Sequence, residues 1–338
     1  RLDRYAHDGS EHRAVRLPGL GSVSGLDASH DRDEAFLSFT SYATPSTTYR
    51  WSGEDRREPL TEWSHLAGSV DQTVVVEQVR YPSVDGTLIS MFLIRGEGVT
   101  PGPDTPCILT GYGGFSITTS PAFSPIAVEM CARGGIYAVA GIRGGSEEGE
   151  AWHRAGMREQ KQTSFDDFLA AADWLVAEGH TSRERLAIRG GSNGGLLVGA
   201  AITQRPDLCR AAHAAVPLLD MVRYPEFLLG GLWVPEYGDP NDPEQFEWLH
   251  SYSPYHHVTD GTCYPATLLT TAAGDSRVHP FHARKMAARL QEATSCGTEN
   301  PVLLREERDA GHGQGKPVSQ QAADLADAVA FLLDRIEP

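Results

Sequence analysis

Ser192 lies in Gly190-Gly191-Ser192-Asn193-Gly194, a G-x-S-x-G pentapeptide. It stands between Arg185 to Arg189, which reads as a strand, and a stretch that reads as a helix. In that setting the pattern is a nucleophile elbow: small flanking residues let the chain turn sharply enough to hold a serine in a strained conformation, hydroxyl exposed above a sheet. A Gly-rich strand-to-helix turn can also merely pack tightly or bind phosphate, so the pentapeptide needs partners. They follow in the order Ser, acid, His. One strand ends in Ala272-Ala273-Gly274-Asp275, and the last runs into Arg308-Asp309-Ala310-Gly311-His312-Gly313. His312 is the expected base that takes the Ser192 proton during attack and later protonates the leaving amine, and Asp275 the acid that fixes its tautomer.

Other residues compete for these roles. Asp220, in Pro217-Leu218-Leu219-Asp220, is an alternative acid. His279 and His282 follow Asp275 too closely to arrive from a separate loop and read as helix-start residues. His256-His257 is a tempting pair, but no H-E-x-x-H or other ligand spacing accompanies it, so no metal or cofactor is expected. A developing oxyanion needs two donors. One is the backbone N–H of Asn193; the other is expected from Thr110-Gly111-Tyr112-Gly113-Gly114-Phe115, where Tyr112 can donate its hydroxyl. The competing reading is a core tyrosine whose glycine neighbours relieve crowding.

These groups must hang from a scaffold, and from about residue 71 strands alternate with helices, the signature of an α/β sheet. Eight strands are expected: Thr73 to Tyr81 and Leu88 to Arg95, a hairpin through Asp85-Gly86, then Cys107 to Gly111, Ile136 to Gly141, Arg185 to Arg189, Ala211 to Val216, Thr267 to Thr271 and Val302 to Glu307. Several are uninterrupted apolar runs, as in central strands covered on both faces. Helices are expected at Phe165 to Glu178, with Ser164 as N-cap, and at Gly194 to Gln204, His282 to Ala293 and Gln320 to Ile336. The Ser, acid, His order on such a sheet predicts an α/β-hydrolase fold, mostly parallel.

Residues 1 to about 57 read differently, as short strands with turns between them: Leu2 to Ala6, His12 to Leu17, Glu34 to Thr40 and Thr47 to Ser52. Together they predict one four-stranded antiparallel unit, the size of a propeller blade, of which a closed propeller needs about four to eight. A lone blade has bare edges. The expected division is therefore 1–70, a propeller remnant and linker, and 71–338, a catalytic domain.

The 338 residues hold 29 Lys plus Arg against 45 Asp plus Glu, a net charge of −16, which argues against nucleic acid or an anionic membrane surface as partner. No apolar run approaches the ~20 residues of a membrane span. Arg1 to Tyr5 carry neither an initiator Met nor a signal sequence, so a cytoplasmic location is expected, with periplasmic or secreted alternatives open because the true start is not visible. The five cysteines are odd in number and scattered without a C-x-x-C pair. They read as buried thiols in a reducing compartment rather than a disulfide framework or zinc site.

Gly111-Tyr112-Gly113-Gly114-Phe115, Arg143-Gly144-Gly145, Trp152-His153, Gly190 to Gly195, Trp233 to Gly238, Asp275-Ser276-Arg277-Val278 and Ala310-Gly311-His312-Gly313, in that order, resemble the prolyl oligopeptidase family of serine peptidases nearly end to end. The resemblance implies the triad Ser192, Asp275 and His312, with Tyr112 and Asn193 as the oxyanion hole. It also implies a specificity pocket in which Trp233 stacks on the substrate proline, Phe115, Leu218, Tyr237 and Val278 complete an apolar box, and Arg277 hydrogen-bonds a substrate carbonyl. A pyrrolidine ring has no donor to satisfy and gains from aromatic faces, whereas a basic side chain needs a buried carboxylate. The Arg/Lys-cleaving relatives carry, by the same resemblance, a Glu where Trp233 stands; here the nearest acid is Glu236. The implied activity is cleavage of short proline-containing peptides after proline through an acyl-enzyme. Alternatives are an esterase or other acyl-peptide hydrolase on the same fold, or a non-catalytic hydrolase-like binding module, which would have lost a triad member. Family members carry a seven-bladed propeller, so a missing N-terminal propeller segment is expected to pack on residues 1–70.

Overall fold

The computed structural model describes residues 2–6, 8–10, 12–52, 60–64, 74–307, 311 and 317–337. Two compact units divide the chain, one of residues 1–76, 94–98 and 120–133, the other of residues 77–93, 99–119 and 134–338. The expected boundary at residue 70 falls outside the described residues.

In the first unit, β1 (Leu2–Tyr5) and β2 (His12–Val15) pair antiparallel as a two-stranded sheet of their own. Then β3 (Ser22–Ala28), β4 (Glu34–Thr40), β5 (Thr47–Ser52) and β6 (Leu60–Ser64) form a four-stranded antiparallel sheet in chain order. The expected four-stranded unit is therefore corrected: its first two members belong elsewhere, and β3 and β6 take their places. Ser-Val-Ser-Gly-Leu-Asp-Ala is a weak strand signal because Gly25 sits at φ 59 where the register shifts between Ser24 and Asp27, a bulge that breaks the two-residue alternation. β4 keeps that alternation and buries Leu37 and Phe39. Residues 120–133 join this unit through Ser22 Oγ donating to Pro121 O (2.7 Å) and Ser124 N–H donating to Tyr42 O (3.0 Å). Here α1 (Pro125–Ala132) begins on a Ser124 cap that accepts from Ala127 N–H, with Pro125 at the first helical position, where its missing N–H costs nothing.

An eight-stranded sheet comprises β7 (Val74–Pro82), β8 (Leu88–Gly96), β9 (Cys107–Gly111), β10 (Ile136–Gly141), β11 (Leu186–Gly191), β12 (Ala211–Ala215), β13 (Ala266–Ala272) and β14 (Val302–Glu307). Its spatial order is β14-β13-β12-β11-β9-β10-β8-β7, parallel from β10 through to β14. All eight expected strands are present to within a residue or two; central ones such as β9, β10 and β12 are buried almost throughout, as apolar runs covered on both faces should be, whereas the edge strands β7 and β14 carry charged residues and stay partly exposed. After β9 the chain adds β10 on one side and then returns to add β11 on the other. That reversal is a switch point, where the carboxyl ends of adjacent strands open a crevice.

Helices α2 (Glu150–Arg154), α3 (Lys161–Ala177), α4 (Asn193–Gln204), α5 (Val234–Tyr237), α6 (Pro243–Tyr252), α7 (Phe281–Ala293) and α8 (Val318–Ile336) complete the chain. Every residue of α4 from Asn193 to Ile202 is buried, as befits a central helix apolar all round. Ser164 is not the cap of α3, which starts three residues earlier; its buried hydroxyl donates to Arg143 O (2.7 Å) and lies 3.1 Å from Gly156 O. The cysteine reading is also corrected: Cys263 and Cys296 form a disulfide with Cα atoms 5.2 Å apart, while Cys107, Cys131 and Cys209 are buried free thiols. Nothing in the spacing of the five announced that pair, which joins loops far apart in sequence. Among the described residues, no helix is long and apolar enough to cross a membrane, and no group of three or more His, Cys, Asp or Glu is placed to hold a metal ion.

Candidate active site

Ser192 joins β11 to α4 at φ 56, ψ −117, a left-handed backbone that an L-residue holds only under constraint. The constraint is local. Ser192 N–H donates to Ala215 O of β12 (2.8 Å), and its carbonyl accepts from Gly195 N–H (2.9 Å) and Leu196 N–H (3.1 Å) in α4. A Cβ at Gly190 would lie 2.2 Å from Gly194 O, so only glycine lets the strand enter so tight a turn.

The loop after β9 lies against this elbow. The Tyr112 hydroxyl lies beside Ser192, whose side chain acts to lower its pKa. Burial raises the pKa of the Tyr112 phenol, against the opposing pull of Ser192 and of the Arg277 charge, so the group is a protonated donor at neutral pH. Asn193 opens α4, where the first backbone N–H groups have no intrahelical acceptor. Its side chain is taken up on both sides: Nδ2 donates to Tyr112 O (2.6 Å) and Oδ1 accepts from Tyr237 OH (2.8 Å). Two more buried groups grip the loop. Lys161 Nζ donates to Gly113 O (2.6 Å) and Phe115 N–H donates to Glu236 Oε1 (2.8 Å).

Asp275 lies in the turn after β13, 4% exposed, and its Oδ1 accepts from Arg277 N–H (2.8 Å) and Val278 N–H (2.9 Å). This carboxylate is thus built into its own loop, at the same end of the parallel strands as Ser192. His312 falls outside the described residues. Asp220, the alternative acid, is committed elsewhere: it is buried, ion-paired with Lys285 and 3.3 Å from Arg223. Burial pushes His282 down to about 3, and its Nδ1 accepts from Leu219 and Asp220 N–H, both at 3.1 Å. His279 Nδ1 accepts from Phe281 N–H at the start of α7 (3.1 Å). His256 and His257 end a single turn, Pro254–His257, paired with Ser253 Oγ and His250 O.

Of the residues of the expected apolar box, Phe115 and Tyr237 meet at this loop. Phe115 meets Tyr237 edge-on, ring centroids 5.5 Å apart, and Phe115 and Trp233 are partly buried against the core. Leu218, Tyr237 and Val278 are almost wholly buried; Arg277 is exposed. The Glu236 carboxylate, besides accepting from Phe115 N–H, lies 2.8 Å from His153 Nε2, so it is occupied by the protein itself. Sequence reasoning missed Lys161, and gave Glu236 no part in the loop, because charged residues ordinarily read as surface.

Residues 121–338 match the Prolyl oligopeptidase family, and residues 1–62 the Prolyl oligopeptidase, N-terminal beta-propeller domain. A prolyl endopeptidase of Elizabethkingia meningoseptica is 42% identical over 338 residues, 98% of this chain and 47% of the relative. One from Dictyostelium discoideum is 38% identical over 335 residues, 98% and 44%. Among solved structures, one from a study of two prolyl endopeptidases aligns with TM-score 0.88 at 44% identity, covering 98% of this chain and 48% of that one. A post-proline cleaving enzyme from Rickettsia typhi aligns at 0.84 and 33% identity, covering 99% and 48%. The chain spans about half the length of the curated relatives it matches.

Proposed function

The chain belongs to the prolyl oligopeptidase family, and from that premise we propose that it performs the chemistry of a serine peptidase cleaving short peptides on the carboxyl side of proline. The observation that carries the reading is the strained backbone of Ser192 with the Tyr112 hydroxyl beside it. Ser192 Oγ attacks the carbonyl carbon of the proline residue while its proton passes to His312. The carbonyl oxygen becomes an oxyanion held by the Tyr112 hydroxyl and the Asn193 N–H. Collapse breaks the C–N bond, His312 returns the proton to the leaving amine, and water repeats the sequence on the acyl-enzyme. Asp275 orients His312 and stabilises its charged form.

For substrate choice, Trp233 and Phe115 supply flat apolar faces that suit a pyrrolidine, and Arg277 reaches a substrate carbonyl. Glu236 supports the same choice: with its carboxylate already engaged by Phe115 N–H and His153, it offers a basic side chain no free partner. The test is a fluorophosphonate probe on the protein as it naturally occurs, with any flanking chain retained. The probe should label Ser192, and labelling should vanish in Ser192→Ala. Matched Pro, Ala and Arg peptides beside an activated ester then separate a proline peptidase from an esterase. Label on another serine with Ser192 intact would overturn the assignment.

A further inference from the structure

Lys161 is the first residue of α3 and 1% exposed, and among the described residues its ammonium forms no ion pair within 4 Å. An unpaired buried cation is costly, so what it touches matters. Nζ donates to Gly113 O at 2.6 Å and lies over the Tyr237 ring, 5.7 Å from its centroid. The Tyr237 hydroxyl in turn donates to Asn193 Oδ1, whose amide donates to Tyr112 O. Lys161, Tyr237 and Asn193 thus close a ring of contacts around Tyr112 and Gly113, while Glu236 holds Phe115 N–H. The segment needs such holding: Gly113 stands at φ 65, and two successive glycines leave the backbone beside Tyr112 intrinsically free.

We propose that Lys161 is a positioning residue for the oxyanion site, fixing the backbone of residues 112–115 so that the Tyr112 hydroxyl stays aimed at the carbonyl oxygen attacked by Ser192. The inference rests on the serine-peptidase reading above. Burial lowers the Lys161 pKa to about 8, with the Glu236 charge pulling the other way, so near neutral pH the ammonium form persists and polarises the Gly113 carbonyl.

The test is a double-mutant cycle on the naturally occurring protein with its flanking chain, read as kcat and KM on a proline peptide. Tyr112→Phe should lower kcat about 100- to 1000-fold as a lost oxyanion donor. Lys161→Met should lower kcat about 10- to 100-fold with KM little changed, because a small misplacement of the donor acts on the transition state. Since Lys161 acts through Tyr112, the double variant should be no slower than Tyr112→Phe alone. Lys161→Gln, which keeps an N–H donor at shorter reach, should recover part of the loss; if Lys161→Met does not fold, the cycle is run with Lys161→Gln and read by the same rule. Fully multiplicative losses, or a loss confined to KM, overturn the inference and leave the serine-peptidase reading standing. A harmless Tyr112→Phe removes both the oxyanion assignment and this inference with it.

Discussion

The two buried aspartates weighed for the acid differ in what engages them. Asp275 is braced by the amides of Arg277 and Val278, whereas Asp220 is locked between Lys285 and Arg223. Asp275→Asn should therefore lower kcat by about 10⁴ with little change in KM. Asp220→Asn should lower the melting temperature while leaving kcat nearly intact; steady-state kinetics and thermal melts on the same samples decide, and the opposite ranking would transfer the acid to Asp220. Trp233→Ala should reduce kcat/KM discrimination between Pro and Ala peptides by about 10- to 200-fold, roughly 1–3 kcal/mol, and spare an activated ester. An unchanged Pro-to-Ala ratio would leave the pocket assignment without support. Lys161 also leaves a mark on stability. Its pKa of about 8 lies below the ordinary lysine value of ~10.4, so as pH rises from about 8 the folded chain sheds a proton that the unfolded chain keeps. Its burial is most destabilising below pH 8, and wild-type stability should gain on Lys161→Met between about pH 8 and 10.4. Urea unfolding of the pair across that range measures it; a gap moving the other way would mean the lysine is not buried as described.

At the scale of elements, much was legible. Runs such as Cys107 to Gly111 and Ile136 to Gly141 identify central strands because no charged residue interrupts them, and the turn chemistry around Ser192 identifies the elbow. Elements whose stability comes from context were not legible. β3 is bent by a bulge at Gly25, and α6 is a polar helix whose signal is its start, Asp242 capping Glu244 and Gln245 N–H ahead of Pro243. Lys161 was invisible for a related reason: only the assembled loop after β9 shows why a cation should be buried at the head of α3. The Cys263–Cys296 link, between the loop before β13 and the segment after α7, lay equally beyond sequence patterning. Counting thiols in denaturant should give three without reductant and five after reduction. Five in both would mean that the link is absent and would restore the reducing-compartment reading, whereas three would remove that support for a cytoplasmic location.

On the scale of the molecule, a net charge of −16 should keep the chain off DNA- or heparin-coated resin even at low salt, since its net field repels a polyanion. Retention that weakens steeply with added salt would contradict this. The connection from β12 to β13, residues 216–265, carries Leu218, Trp233 and Tyr237, while Ser192 and Asp275 follow other strands, β11 and β13. Such a partition lets lineages change diet without changing chemistry, because a long surface connection accepts replacement that the sheet does not. That freedom has a sharp internal limit. On the pocket proposed above, Trp233 can be exchanged to suit a new substrate, but Glu236 and Tyr237, three and four positions on, hold Phe115 and Asn193. Descendants of this chain should therefore diversify up to the start of α5 and stay fixed just beyond it, and a deep mutational scan of residues 224–238, scored on an activated ester, should show tolerance ending within those few codons.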